Sequence, residues 1–157
     1  MRIRDKIKKP QRPVVAYEIL PPREKDGTLN SYAETISSLL SQTHIDAINI
    51  PEVHDEIGRG ERPVSNQDRG EPRKFGMLLQ DIVGIEAIVN RVVVHMPLED
   101  QMKWIQETYS EYEIDNLIIV GGESSKQEYP GPSVNQSLKK ISQTKVFGEK
   151  NIFCGGI

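Results

Sequence analysis

A carboxylate inside an aliphatic run is the first residue of this chain with chemical promise. Glu18 stands in Val14-Val15-Ala16-Tyr17-Glu18-Ile19-Leu20, and Pro21-Pro22-Arg23-Glu24 follows. Burial among apolar side chains disfavours the charged form, so a carboxyl in that setting keeps its proton toward neutral pH. A general acid needs this property. A carboxylate paired with Arg23 or another cation and serving only the structure is an equal alternative. The two prolines end the run and stiffen the turn, since neither donates to a strand ladder.

Further groups recur at the ends of apolar runs: Asn49 and Glu52 close a second run, and His95 ends Val92-Val93-Val94. Glu123 follows Leu117-Ile118-Ile119-Val120-Gly121-Gly122, with Ser124 and Ser125 behind it. A histidine on an apolar strand is more often a satisfied core residue than a catalyst, and a strand-end position shifts that balance toward function. The Gly121-Gly122 pair allows close approach of a flat or phosphorylated ligand, and a tight turn would ask for the same residues. Tyr129-Pro130-Gly131-Pro132-Ser133 leads into a helix start, which suits either an anion or an ordinary cap.

The elements that must position these residues alternate. Strand-length apolar runs cover 14–20, 46–50, 90–95, 116–120 and 151–154. Helical periods lie between them: Leu29, Tyr32, Ile36, Leu39 and Leu40; Phe75, Leu78, Leu79 and Ile82; Leu98, Met102, Ile105 and Tyr109. Ser133 and Gln136 form a capping box ahead of Val134, Leu138 and Ile141. Strand and helix in alternation predict an α/β fold with a parallel sheet covered on both faces. Polar groups gathered at strand ends favour a (β/α)8 TIM barrel, whose mouth collects them, and no Gly-x-Gly-x-x-Gly follows the first strand. A full barrel takes about 250 residues. The expectation is therefore a basic arm over 1–13 and the first half of a barrel over 14–157, truncated in the fifth strand and prone to self-association as a homo-oligomer through its open edges. Residues 51–73 show no period and would form a long loop at the mouth, either a functional lid or a disordered segment.

Composition narrows the function. The 157 residues carry 36% hydrophobic and 27% charged residues with a net charge of -3, which suits one folded domain and argues against a general nucleic-acid binder. No apolar run is long enough to span a bilayer, so no membrane partner is expected. Arg2, Arg4, Lys6, Lys8, Lys9 and Arg12 crowd the first dozen residues, and their default is a solvated tail. Cys154 is the single cysteine, no Cys/His spacing suggests a metal, and a reducing cytoplasm is the expected location.

Glu18-Ile19-Leu20-Pro21-Pro22-Arg23 resembles the Glu-x-x-Pro-Pro-Lys/Arg motif that opens the barrel of methylenetetrahydrofolate reductases. Arg91 to His95 resembles that family's third strand, and Ile119-Val120-Gly121-Gly122-Glu123 stands where it carries Leu-Arg-Gly-Asp. The resemblance implies a flavin-dependent reductase of one-carbon metabolism. It would hold FAD, with FMN as the alternative, and pass hydride from NAD(P)H to a methylene group on a reduced, folate-type pterin. Glu18 would then be the acid that assists ring opening, and Glu123 would lie beside flavin and pterin. Asn49, Glu52, His95, Gly121, Gly122 and Ser124 would face the cofactor. Asn49-Ile50-Pro51-Glu52 replaces the family's Thr-Tyr-Gly, and Met96-Pro97 replaces Thr-Cys. Two rivals stand beside this reading: a non-redox barrel that binds a pterin or corrinoid-linked one-carbon carrier, and a non-catalytic half-barrel.

Overall fold

The computed structural model describes residues 2–54, 68–122, 126, 128–144 and 152–157. Five parallel strands lie in sequential order: β1 (Ala16–Glu18), β2 (Ala47–Ile50), β3 (Ala87–Val92), β4 (Asn116–Val120) and β5 (Phe153–Gly156). A short α1 (Ile3–Lys8) precedes them, and α2 (Leu29–Leu40), α3 (Pro72–Val83), α4 (Leu98–Tyr112) and α5 (Val134–Gln143) form the crossovers. Crossovers of one hand that always step the same way put every helix on the same side of the sheet. Accordingly α2 packs on α3, α3 on α4 and α4 on α5. Among the described residues no helix is long and apolar enough to cross a membrane.

Local chemistry sets the helix ends. Thr28 caps α2 by accepting from the Ser31 N–H, and Glu71 caps α3 ahead of Pro72. At the other end of α3, Gly84 takes the left-handed conformation with φ 72. The Ser133 and Gln136 capping box of α5 is present with both of its bonds.

Register sorts the strand residues by face. Tyr17, Ile48, Ala87, Val89, Leu117 and Cys154 align across the sheet on the helix side. There Ile50, Ala87 and Ile114 close around Gly76 of α3. The alternate residues, among them Glu18, Asn49, Ile88, Asn90 and Asn116, form the opposite face. The expectation of helices on both faces is thus corrected: one-directional winding covers one. The third strand also starts earlier than its apolar run, at Ala87, and Val93–His95 turn away as a 3-10 helix.

The basic arm is docked, not solvated. Ile3 is buried. Asp46, Glu86 and Asp115 each stand immediately before a strand, β2, β3 and β4 in turn, and together make an acidic collar at the strand starts. Arg2 bridges Glu86 at 2.6 Å and Asp115 at 2.5 Å, and Arg4 also pairs with Asp115. Lys6 and Arg12 converge on Asp46 at 2.9 and 2.7 Å.

The Val15 N–H, with the Lys6 and Arg12 cations, holds Asp46 far below the usual carboxylate range. For Glu86 burial pushes upward, but the Ile3 N–H and Arg2 outweigh it and the net direction is down. Carboxylates with lowered pKa stabilise the fold fully above their unfolded value of about 4, and that contribution is lost progressively as the pH falls from there through the lower folded value. Urea midpoints should therefore be level above about pH 5 and decline below about pH 4. Asp46→Asn should lower the midpoint at neutral pH and flatten the acid decline; an unaltered decline in that variant would refute the collar's role.

Candidate functional site

On the helix-free face, the carboxyl ends of β1 and β2 bring two polar side chains together. Asn49 donates from Nδ2 to Glu18 Oε2 at 3.0 Å, which settles the orientation of its amide and leaves Oδ1 as an acceptor. That Oδ1 is buried and has no hydrogen-bond partner among the described residues, and the same holds for Asn90 Oδ1 and Asn116 Oδ1. Asn90 is 8% exposed and Asn116 1%. Asn116 spends its Nδ2 on the Ala87 carbonyl at 3.3 Å. Asparagine at successive strands is what a packed apolar face would exclude.

A second cluster lies at the ends of β2 and β3. Arg91 is 5% exposed and donates from Nε to Gln101 at 2.8 Å, from Nη1 to Glu52 Oε1 at 2.5 Å and from Nη2 to Met96 Sδ at 3.0 Å. Its guanidinium also lies 4.4 Å from the Trp104 ring centre. Glu52 Oε2 accepts the Val92 N–H at 2.8 Å. Burial is the largest influence on Glu52 and pushes it up, but His54, the Arg91 charge and the Val92 N–H together hold it below its ordinary value. His54 Nε2 stands 3.4 Å from Glu52 Oε1, at ion-pair distance without hydrogen-bond alignment. The His54 and His95 rings lie 4.4 Å apart, and His95 meets Tyr129 edge-on at 5.5 Å.

The residues singled out in the sequence fare differently. Glu18 is exposed, as is all of β1, so the burial expected to hold its proton is absent. The pairing with Arg23 is also corrected: Arg23 lies 3.9 Å from Asp68, while Glu18 takes Asn49. Both Glu52 oxygens are engaged by the protein. His95 sits in the 3-10 turn, packed between two rings. Glu123, Ser124 and the 55–67 part of the long loop lie outside the described residues. A Cβ added to Gly122 would fall 2.1 Å from Tyr129 Cζ, so the approach that the glycine pair opens is filled by the chain's own ring. Of the groups expected around a flavin, Glu52 is thus held by Arg91 and the Val92 N–H, His95 packs against His54 and Tyr129, and Asn49 holds Glu18.

Sequence reasoning missed Asn90 and the ion pair of Arg91 with Glu52. The signal for the latter was a cation in the middle of Val89 to Val94, where burial obliges a carboxylate partner. Among the described residues no group of three or more His, Cys, Asp and Glu is placed to hold a metal.

No family model and no curated protein matches this chain. Among solved structures it is similar to an uncharacterised protein from Clostridium thermocellum that binds two copies of 5-methyl-5,6,7,8-tetrahydrofolic acid. The TM-score is 0.67 at 15% identity, over 98% of this chain and 47% of that one. The chain therefore spans about half the length of the structure it matches. These findings correct the reductase resemblance: three short motifs at strand ends, Glu18 to Arg23, Arg91 to His95 and Ile119 to Glu123, do not carry family membership.

Proposed function

We propose that this chain is the first half of a (β/α)8 barrel that binds a reduced folate at the carboxyl ends of its strands, without redox chemistry of its own. The observation that carries the reading is the set of acceptors on the helix-free face: the Glu18 carboxylate and the buried carbonyls of Asn49 and Asn90, which have no partner among the described residues. In a closed barrel this face is the interior, and its carboxyl end is where ligands bind. A buried polar atom without a partner costs about 1–3 kcal/mol, a deficit that a ligand rich in N–H groups relieves. The solved neighbour supports the choice of ligand, since it combines this strand and helix layout with bound 5-methyl-tetrahydrofolate and has length for the remaining strands.

Calorimetric titration of the purified full chain with 5-methyl-tetrahydrofolate under nitrogen tests the reading. Saturable heat is expected, and its loss in Asn90→Leu, which keeps the size and removes the acceptor. Absence of binding at millimolar ligand would overturn the proposal. A flavin absorbance band that persists through purification would overturn the non-redox part of it.

A further inference from the structure

The hydrogen-bonding polarity at Glu18 goes further than the class of ligand and rests on the folate reading just given. Asn49 spends an N–H on Glu18 Oε2, so what the pair keeps for a ligand is mainly acceptors: the remaining lone pairs of the exposed Glu18 carboxylate and, beneath it, the buried Asn49 carbonyl. Asn90 adds a third acceptor, one strand over and two residues up, about 8 Å from Asn49 by strand spacing and rise. It is more than nine-tenths buried, and its carbonyl has no partner among the described residues.

A surface of this polarity distinguishes heterocycles that share a shape. A 2-amino-4-oxo-pteridine offers two adjacent donors along its pyrimidine edge, the 2-amino group and N3–H, and these match the two oxygens of one carboxylate. A 2,4-dioxo ring, as in lumazine or the pyrimidine half of a flavin, offers acceptor, donor, acceptor on the same edge. Against a carboxylate it brings oxygen to oxygen. We infer that Glu18, aimed by Asn49, reads the 2-amino and N3–H edge of the pteridine and makes the site selective for 2-amino-4-oxo rings. Glu18 is then a binding residue and Asn49 a positioning one.

The test compares pterin with lumazine, rings of the same size, on the full chain. The expected preference for pterin is about 10-fold to 100-fold, the worth of hydrogen bonds to a charged acceptor. Glu18→Gln puts a donor and an acceptor where two acceptors stood, and it should erase most of that preference. Asn49→Ala should narrow it while Glu18 remains. Glu18 is exposed on an edge strand, so its substitution leaves the core intact, and an unchanged urea midpoint verifies that. Equal affinity for the two rings, or a preference that survives in Glu18→Gln, would overturn the inference even where 5-methyl-tetrahydrofolate binds. A pterin preference without binding of 5-methyl-tetrahydrofolate would sustain the edge recognition and remove the folate reading. If neither ring nor the folate binds, both fall.

Discussion

Replacing Arg91 by Met is expected to cost about 3–5 kcal/mol of folding stability, the usual penalty for leaving one partner of a buried ion pair alone. Side-chain exposure is 6% for Arg91 and 15% for Glu52, so water cannot take over the lost interaction. Met retains much of the apolar stem against Trp104 but withdraws the charge that offsets Glu52's desolvation. Glu52 would then take up a proton more readily in the folded state than in the unfolded one. A raised folded pKa favours the fold at low pH, so the deficit should shrink as the pH falls from about 7 toward 5. Glu52→Gln in the Arg91→Met background should restore part of the stability by removing the stranded charge. Urea unfolding of the two single variants and the double variant gives the coupling directly. A single-variant loss below about 1 kcal/mol would show that the pair is far better solvated than its geometry implies.

The second large effect is expected at Gly131. A Cβ there would lie 2.4 Å from the Met96 carbonyl oxygen, 2.5 Å from that of Val93 and 2.7 Å from the Val94 carbonyl carbon. All three atoms are backbone, so no side-chain rotation relieves the overlap. The Gly131 N–H also donates to the Val94 carbonyl at 2.8 Å, and moving the loop outward breaks that bond. Gly131→Ala should therefore cost about 3 kcal/mol, the upper part of the overpacking range. It should also shift Tyr129 relative to His95, visible in the histidine proton resonances. Gly155→Ala is the control, since among the described residues nothing lies within 4 Å of its added Cβ, and its effect should stay within about 0.5 kcal/mol.

Much of the sheet order and the helix positions was legible because apolar period is a local property. The α5 start is the sharpest case, with Ser133 and Gln136 making both bonds that their spacing predicts. The start of β3 was not legible: Ala87 is a weak strand signal, and Asn90 and Arg91 interrupt the apolar pattern although both are buried. Glu18 illustrates a different limit. Its neighbours in sequence are apolar, but its burial depends on what lies beyond the edge of β1 and across the helix-free face, neither of which seven consecutive residues encode. The candidate site was half readable, since polar residues at strand ends pointed to Glu18 and Asn49. The pairings were not, because Glu52 and Arg91 are 39 positions apart and meet only once β2 and β3 lie side by side.

The acidic collar also bears on the order in which the molecule completes itself during synthesis. The arm leaves the ribosome ahead of all five strands, yet Arg2 closes on an Asp115 that lies 113 positions later. Chains grow at about 5–20 residues per second, so the cations stay without their full set of carboxylates for several seconds after they emerge. Asp46 appears early and can engage Lys6 and Arg12 once β2 is out; Glu86 and Asp115 become available only as β3 and β4 follow. The arm's full set of ion pairs is therefore available only once the residues ahead of β2, β3 and β4 have all been made.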